Sequence, residues 1–90
     1  MAWTTRFTDR AKKDLAKLDK PVAKRVTEYL RRHVDNAGDP RAVGEALHGD
    51  RLGNFWKYRV GDYRIIAEIQ DRQVRVLLIR VGHRSRVYHR

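Results

Sequence analysis

The spacing of apolar residues changes at residue 55, and this change constrains the fold more than any other feature of the sequence. Apolar and polar residues then alternate through three consecutive segments, residues 55–60, 63–70 and 73–81. A period of two is typical of strands that bury one face. Only the pairs Gly61-Asp62 and Asp71-Arg72 separate the segments, and connections this short force neighbouring strands to pair antiparallel. The second part of the chain is therefore predicted to form a three-stranded antiparallel meander.

The residues before the meander predict one strand and two helices. Trp3, Thr5 and Phe7 alternate with polar or small neighbours, as in a half-buried strand. Residues 9–18 carry apolar side chains at spacings of four and three, which is typical of a short amphipathic helix. Pro21 suits the first turn of a second helix that runs to about residue 34 and forms a hairpin with the first.

Residues 35–53 are rich in turn-forming residues and predict a surface connection with short helical pieces at most. We expect Val43, Leu47 and Leu52 to anchor it. The order of elements is then an N-terminal strand, a helical hairpin and a three-stranded meander. This order predicts an α+β fold with the hairpin against one face of a single, mainly antiparallel sheet.

Length and composition predict one domain spanning residues 1–90, because a chain of 90 residues with 41% apolar residues can fill a single modest core. No stretch resembles a membrane span or a secretory signal, so we expect a cytoplasmic protein. The sequence has no cysteine, and its four histidines are scattered. We therefore expect neither a metal site nor a cofactor.

The charge of the chain points to a polyanionic partner. The net charge is +10, and residues 51–90 contribute +7 of it. Self-repulsion of this size opposes compaction, and nucleic acid is the first candidate for the ligand that relieves it. The alternatives are a solvated cationic surface, a non-specific polyanion binder, and a surface neutralised by an acidic protein.

Four cations of the second half are predicted to share one surface. Lys57 and Arg59 lie on the same face of the first meander strand, because successive side chains alternate. Arg64 begins the next strand, and Arg84 follows the last one. The meander is thus predicted to gather these four side chains on its solvent side. Clustered like charges destabilise a free protein, which again favours a polyanionic ligand.

Several motifs together resemble the RelE/ParE superfamily of bacterial toxins. The resemblance covers nearly the whole chain, including the opening strand and the Ala-x-x-Asp-Leu-x-Lys-Leu pattern of residues 11–18. The motifs that carry it are Leu47-His48-Gly49, the run from Phe55 to Ile66 with Gly61-Asp62-Tyr63-Arg64, Val81-Gly82-His83-Arg84, and Val87-Tyr88. A single piece such as Gly-Asp-Tyr-Arg would be weak, but four pieces in order are specific.

The resemblance implies a metal-independent endoribonuclease, a toxin that cuts messenger RNA in the ribosomal A site, where ribosomal RNA surrounds it. It also implies a RelB-like antitoxin as protein partner, so that the toxin is monomeric when free and part of a hetero-oligomer when inhibited. The lysine-rich outer faces of the two helices are a candidate surface for ribosomal RNA, because a flat cationic surface suits backbone binding.

The resemblance also implies roles for single residues. Lys57 and Arg59 match the family's basic strand positions, Arg64 matches the arginine that stabilises the phosphate, and Arg84 and Tyr88 match the C-terminal arginine and tyrosine. Tyr88 would stack on the nucleotide or take part in proton transfer.

The identity of the base and acid stays open at this point. Cationic neighbours favour loss of a lysine proton, which makes Lys57 a candidate general base, whereas arginine cannot take this role. His83 is a second candidate acid or base. Some family members use a His–Glu pair instead. No acidic residue lies within residues 55–60, which disfavours that variant here, and Glu68 is expected only to pair with a neighbouring cation.

Two other functions fit the same motifs. A ParE-type toxin shares the fold but inhibits DNA gyrase by protein contact, and the Tyr-Arg strand start is common to both branches. The basic set at 57, 59, 64 and 84 together with Tyr88 favours the RelE type. The other alternative is an RNA-binding relative that has lost catalysis.

Overall fold

The part of the chain that the structure describes forms five strands and two α-helices, which confirms the predicted α+β fold. The computed structural model describes residues 3–35, 38–47 and 54–87. In chain order the elements are β1 (Thr4–Phe7), α1 (Asp9–Ala16), α2 (Lys20–His33), β2 (Glu45–Ala46), β3 (Phe55–Val60), β4 (Tyr63–Gln70) and β5 (Arg75–His83). They build one sheet in the order β1-β5-β4-β3-β2, in which β1 runs parallel to β5 and all other pairs are antiparallel.

Both helices begin where the sequence predicts them. The hydroxyl of Thr8 accepts the backbone N–H of Ala11 at 3.1 Å, which caps α1. Pro21 lies in the first turn of α2, where its missing N–H needs no partner. Helix α1 ends at Ala16, two residues before the predicted end. Helix α1 packs on β5, and α2 contacts β3. In the described part of the chain, no helix is long and apolar enough to cross a membrane.

The core lies between the helices and one face of the sheet. Tyr58 and Ile65 are fully buried. Ile66 and Leu77 lie on the opposite, open face, because alternation separates them from buried Ile65 and Val76. The helices contribute Ala11, Val26 and Leu30, and the strands contribute Tyr58, Val60, Ile65, Ala67, Ile69, Val76, Leu78 and Val81.

The segment before β3 contains a strand that the sequence prediction missed. Glu45 and Ala46 pair with Lys57 and Trp56 and form the short edge strand β2. Val43 packs against the core as predicted. Leu47 continues the pairing, since its N–H donates to the carbonyl of Phe55 at 3.0 Å. Leu52 lies outside the described residues.

The connection between β4 and β5 differs from the predicted two-residue turn. Residues Asp71–Gln73 form one turn of 3₁₀ helix, and Val74 follows with a left-handed φ of 50°. Strand β5 therefore starts at Arg75 instead of residue 73 and continues to His83, two residues beyond the predicted end. An irregularity at Ile66/Ala67 shifts the pairing with β5.

Asp14 closes the edge of β5 where β1 ends. Its Oδ2 accepts the N–H of Val81 at 3.0 Å and the Nε of Arg80 at 2.9 Å. Burial alone would raise the pKa of Asp14, but these hydrogen bonds together outweigh burial and hold that pKa below its ordinary value of 3.8. The buried carboxylate thus takes the place of a neighbouring strand.

Candidate functional site

The face of the sheet away from the helices carries a cluster of cations. Lys57 and Arg59 point to this open face from β3. The residues that alternate with them along the strand, Trp56, Tyr58 and Val60, pack toward the core. Arg64 on β4 is the direct cross-strand partner of Arg59. The structure therefore brings together three of the predicted site residues on adjacent strands. Two arginines placed directly opposite each other repel and favour an anion between them.

A carboxylate that the sequence prediction missed lies within this cluster. Glu45 on β2 is the cross-strand partner of Lys57. Its Oε1 is 3.1 Å from Lys57 Nζ and 3.1 Å from Arg59 Nη2. The hydrogen bond and charge of Lys57, followed by the charge of Arg59, hold the pKa of Glu45 below its ordinary value. Glu45 is therefore ionised at neutral pH and partly neutralises the cations around it. We call Glu45, Lys57, Arg59 and Arg64 the charged cluster.

Gly44 allows Glu45 to approach β3 this closely. Its φ is +77°, in the left-handed region that favours glycine. A Cβ at this position would lie 2.4 Å from the carbonyl oxygen of Lys57 and 2.7 Å from Trp56 Nε1. The same indole Nε1 donates to the carbonyl of Val43 at 2.7 Å. A side chain at residue 44 would therefore push β2 away from the cations that it faces.

Two further contacts hold the segment before β2 in place. Arg41 forms a two-pronged ion pair with Asp71, with Nη1–Oδ1 at 2.9 Å and Nη2–Oδ2 at 3.0 Å. This pairing raises the pKa of Arg41 and lowers that of Asp71. The buried hydroxyl of Tyr58 donates to the carbonyl of Pro40 at 2.7 Å. The segment that carries Glu45 is thus fixed at its start by side chains from the sheet and from the β4–β5 connection.

Arg64 folds back over the turn between β3 and β4. Its Nη1 donates to the carbonyls of Gly61 at 2.9 Å and Tyr63 at 3.0 Å. Arg84 is exposed in the turn after β5, and its backbone N–H donates to the carbonyl of Asp62 at 2.8 Å. The backbone of Arg84 therefore lies beside the turn over which Arg64 folds.

His83 lies away from the charged cluster. His83 is the cross-strand partner of Tyr63, and the two rings meet edge-on with their centroids 5.5 Å apart. Gly82, the residue before His83, is the cross-strand partner of Arg64. Alternation therefore directs His83 to the helix side of the sheet. Its Nδ1 accepts the N–H of Ser85 at 3.2 Å, and it lines a groove of about 550 Å³ beside the end of α1. The structure does not bring this predicted acid or base to the cations.

The tail after β5 returns toward Arg64. Val87 is buried and packs 3.5 Å from where a Cβ of Gly82 would be, and Gly82 is the cross-strand partner of Arg64. Tyr88, the next residue and a predicted site residue, lies outside the described residues. Within residues 3–35, 38–47 and 54–87, no three His, Cys, Asp or Glu side chains converge to hold a metal ion.

Comparison with known proteins gives consistent matches. The family model described as ParE toxin of type II toxin–antitoxin system, parDE, matches residues 5–88. Toxin RelG of Mycobacterium tuberculosis is 36% identical over 90 residues, 100% of both chains. Toxin RelE of the same organism is 32% identical over 82 residues, 91% of this chain and 81% of that protein.

Solved structures agree. A RelBE toxin–antitoxin complex from M. tuberculosis contains a chain that superposes with a TM-score of 0.80 at 32% identity and covers 94% of both chains. The isolated E. coli RelE toxin superposes with a TM-score of 0.73 at 25% identity, covering 91% of this chain and 84% of that one.

Proposed function

Because the chain belongs to the RelE/ParE superfamily of type II toxin–antitoxin toxins, we propose that it is a ribosome-dependent endoribonuclease that cuts messenger RNA in the A site. The observation that carries the proposal is the charged cluster, in which Lys57, Arg59 and Arg64 share one open sheet face with the carboxylate of Glu45. This arrangement can bind a phosphate and place both a proton acceptor and a proton donor beside it. A ribosomal target implies action in the cytoplasm.

The proposed reaction uses the 2′-hydroxyl of the RNA as nucleophile. A base takes the hydroxyl proton, the 2′-oxygen attacks the adjacent phosphorus, and the bond from phosphorus to the 5′-oxygen breaks. A proton from an acid completes the 5′-hydroxyl, and the other product is a 2′,3′-cyclic phosphate. Arg59 and Arg64 would stabilise the extra negative charge of the pentacoordinate transition state. No metal ion is needed for this charge balance.

The ion pair of Glu45 and Lys57 supplies opposite proton-transfer roles. An ionised carboxylate accepts a proton, so Glu45 is the proposed base. The ammonium of Lys57 donates protons, so Lys57 is the proposed acid. Lys57 is a candidate base from the sequence, but this proposal gives it the acid role, because Lys57 can serve as a base only after it leaves Glu45. The phosphate would bind between Arg59 and Arg64, and the ion pair of Glu45 and Lys57 would then lie beside the reacting sugar.

We further propose that an acidic antitoxin segment covers the charged cluster. The matching M. tuberculosis structure is a toxin–antitoxin complex, and the net charge of +10 on this chain favours an acidic partner. Affinity for the antitoxin should then fall as salt concentration rises. Salt-independent affinity in a titration would instead indicate a mainly apolar contact.

The test of the ribonuclease is primer extension on a reporter message in a cell-free translation system. Wild type should produce cuts within codons only when ribosomes are present, and Arg64→Ala should reduce cutting by about a hundredfold or more. Arg72→Ala is the matched control, because Arg72 is an exposed cation in the turn at the opposite end of β4. Equal loss in both variants would show a general charge effect and refute the role of the cluster.

Inhibition of DNA gyrase is the second candidate function. The observation that favours it is that the matching family model describes ParE toxins. A supercoiling assay with purified gyrase separates the two functions. Inhibition of gyrase by wild type, with an intact message in translation extracts, would favour the ParE type. An intact message with active gyrase would favour an RNA-binding relative without catalysis.

A further inference from the structure

The open face extends beyond the charged cluster to a second group of side chains. Phe55 lies four residues before Arg59 on β3, on the same face, and is 40% exposed. Its cross-strand partner is Glu68 on β4, and the partner of Glu68 on β5 is Leu77. The row thus offers an aromatic ring, a carboxylate and an aliphatic side chain, two residues along the strands from the row that holds Lys57.

Among the described residues, a hydrogen bond from a side chain orients Glu68, and no ion pair does. Its Oε1 accepts the Nε2 of Gln70 at 2.7 Å, and the Oε1 of Gln70 accepts the Nε of Arg75 at 2.6 Å. The sequence predicts a direct pair of Glu68 with a cation, but Gln70 lies between Glu68 and Arg75 in the structure. This chain of hydrogen bonds holds the carboxylate beside Phe55.

We propose that Phe55 and Glu68 form a nucleobase subsite of the proposed ribonuclease, which accepts one unpaired base among the nucleotides that flank the scissile phosphate. This inference rests on the proposed function and adds the class of base. An exposed aromatic ring on a sheet stacks on any base, and stacking is tolerant of sequence. A carboxylate only accepts hydrogen bonds, so Glu68 favours a base with an exocyclic amino group, such as cytosine or adenine, over uracil, whose single N–H lies between two carbonyl oxygens that repel the carboxylate.

The geometry matches a short stretch of single-stranded RNA. Phe55 and Arg59 are four strand residues apart, which corresponds to about 13 Å. An extended strand with its phosphate between Arg59 and Arg64 can reach this distance within its next nucleotides. The row that holds Lys57 lies between these two ends. Arg59 and Arg64 would thus hold the RNA backbone, whereas Phe55 and Glu68 would contact the base. Affinity for RNA and preference for a base would then depend on different side chains.

The test compares two substitutions of Phe55 that differ only in stacking. Phe55→Trp keeps an aromatic ring, whereas Phe55→Leu keeps apolar volume without one. Affinity is measured by titration with two short fluorescent RNAs that differ at one position, which is cytosine in one RNA and uracil in the other. Wild type and Phe55→Trp should bind the cytosine RNA more tightly than the uracil RNA, and Phe55→Leu should bind both about tenfold more weakly. Glu68→Gln should bind cytosine and uracil RNAs equally.

Mapping of cuts on a message with ribosomes gives the second readout. Wild-type cuts should favour an amino-bearing base at a fixed distance from the cut, and Glu68→Gln should lose this preference. Unchanged affinity and unchanged cut sites in Phe55→Leu would overturn the subsite. If Phe55→Leu keeps its RNA affinity and cut sites but binds the antitoxin more weakly, the subsite is also overturned, and Phe55, Glu68 and Leu77 are assigned to protein docking.

The two proposals fail in different ways. A wild type that cuts no RNA but binds it with base preference would refute the ribonuclease and retain the subsite. A wild type that cuts RNA with the same sites as Phe55→Leu, and binds RNA with the same affinity, would refute the subsite alone.

Discussion

Replacement of Gly44 by alanine should destabilise the protein and also impair the charged cluster. The left-handed φ of +77° costs a residue with a Cβ about 1–2 kcal/mol. The new Cβ would also meet the backbone carbonyl of Lys57 at 2.4 Å, a group that cannot rotate away. Strand β2 must therefore move, and the hydrogen bond from Trp56 to Val43 is broken.

Loss of that indole hydrogen bond adds about 1 kcal/mol. The exposed ion pairs of Glu45 add little to stability, because solvent screens them. The free energy of unfolding should therefore fall by about 2–3 kcal/mol in Gly44→Ala. For a domain of this size such a change lowers the melting temperature by roughly 10–20 °C. Urea denaturation followed by circular dichroism measures the free energy, and a thermal scan measures the melting temperature.

Gly38→Ala is the matched control. An alanine Cβ at residue 38 would meet no atom within 4 Å. This variant should stay within about 0.5 kcal/mol of wild type or gain slightly from a less flexible unfolded chain. If Gly44→Ala unfolds at the same urea concentration as Gly38→Ala, the close approach of β2 to β3 does not determine stability and the reasoning is wrong.

Three other substitutions test single contacts. Asp14→Asn should lower the free energy of unfolding by about 1–3 kcal/mol at pH 7. Since the folded-state pKa of Asp14 is lowered, its charge stabilises above the ordinary value of 3.8 and this gain is lost as the pH falls through the folded-state pKa, so urea midpoints of the two proteins should converge in acid. Tyr58→Phe leaves the buried carbonyl of Pro40 without its 2.7 Å donor and should cost about 1–2 kcal/mol in urea denaturation; a loss below about 0.3 kcal/mol would contradict this account. Asp71→Asn removes a solvent-exposed ion pair with Arg41 and should cost less than about 1 kcal/mol, a difference from wild type that should shrink as salt is added; a larger loss would show that this pair anchors the segment more firmly than its exposure indicates.

The central strands were predictable because their pattern is local. The predicted bounds of β3 and β4, residues 55–60 and 63–70, are those observed. Each strand has enough residues to display a period of two, and Gly61 marks the turn with a φ of +59°. The start of β5 was predicted two residues early, because Val74 takes a left-handed φ that few β-branched residues adopt.

Strand β2 was not predictable from periodicity. Two residues, Glu45 and Ala46, cannot display a period, and their pairing depends on Gly44 and on an indole 13 residues away from Val43. The carboxylate of the charged cluster was therefore missed together with its strand. The useful signal is Gly44 itself, since a glycine just before an acidic residue in a connection indicates a close backbone approach.

The placement of the site residues shows which part of the inference depends on register. Lys57, Arg59 and Arg64 share a face as alternation predicts. His83 directly precedes Arg84 in the sequence, but His83 is the last residue of β5, and alternation directs it away from the face that carries Arg64. The cross-strand pairing of Tyr63 with His83 decides the side, and this pairing is a tertiary fact.

The position of β5 has a consequence for protein synthesis. It is the last strand of the described chain, yet it lies between β1 and β4 in the sheet and supplies Val76, Leu78 and Val81 to the core. A chain that leaves the ribosome from its N-terminus has no partner for β1 and no cover for α1 until β5 emerges. The sheet that carries the charged cluster can therefore be completed only after β5 has emerged, so it forms after all the other described strands have been synthesised.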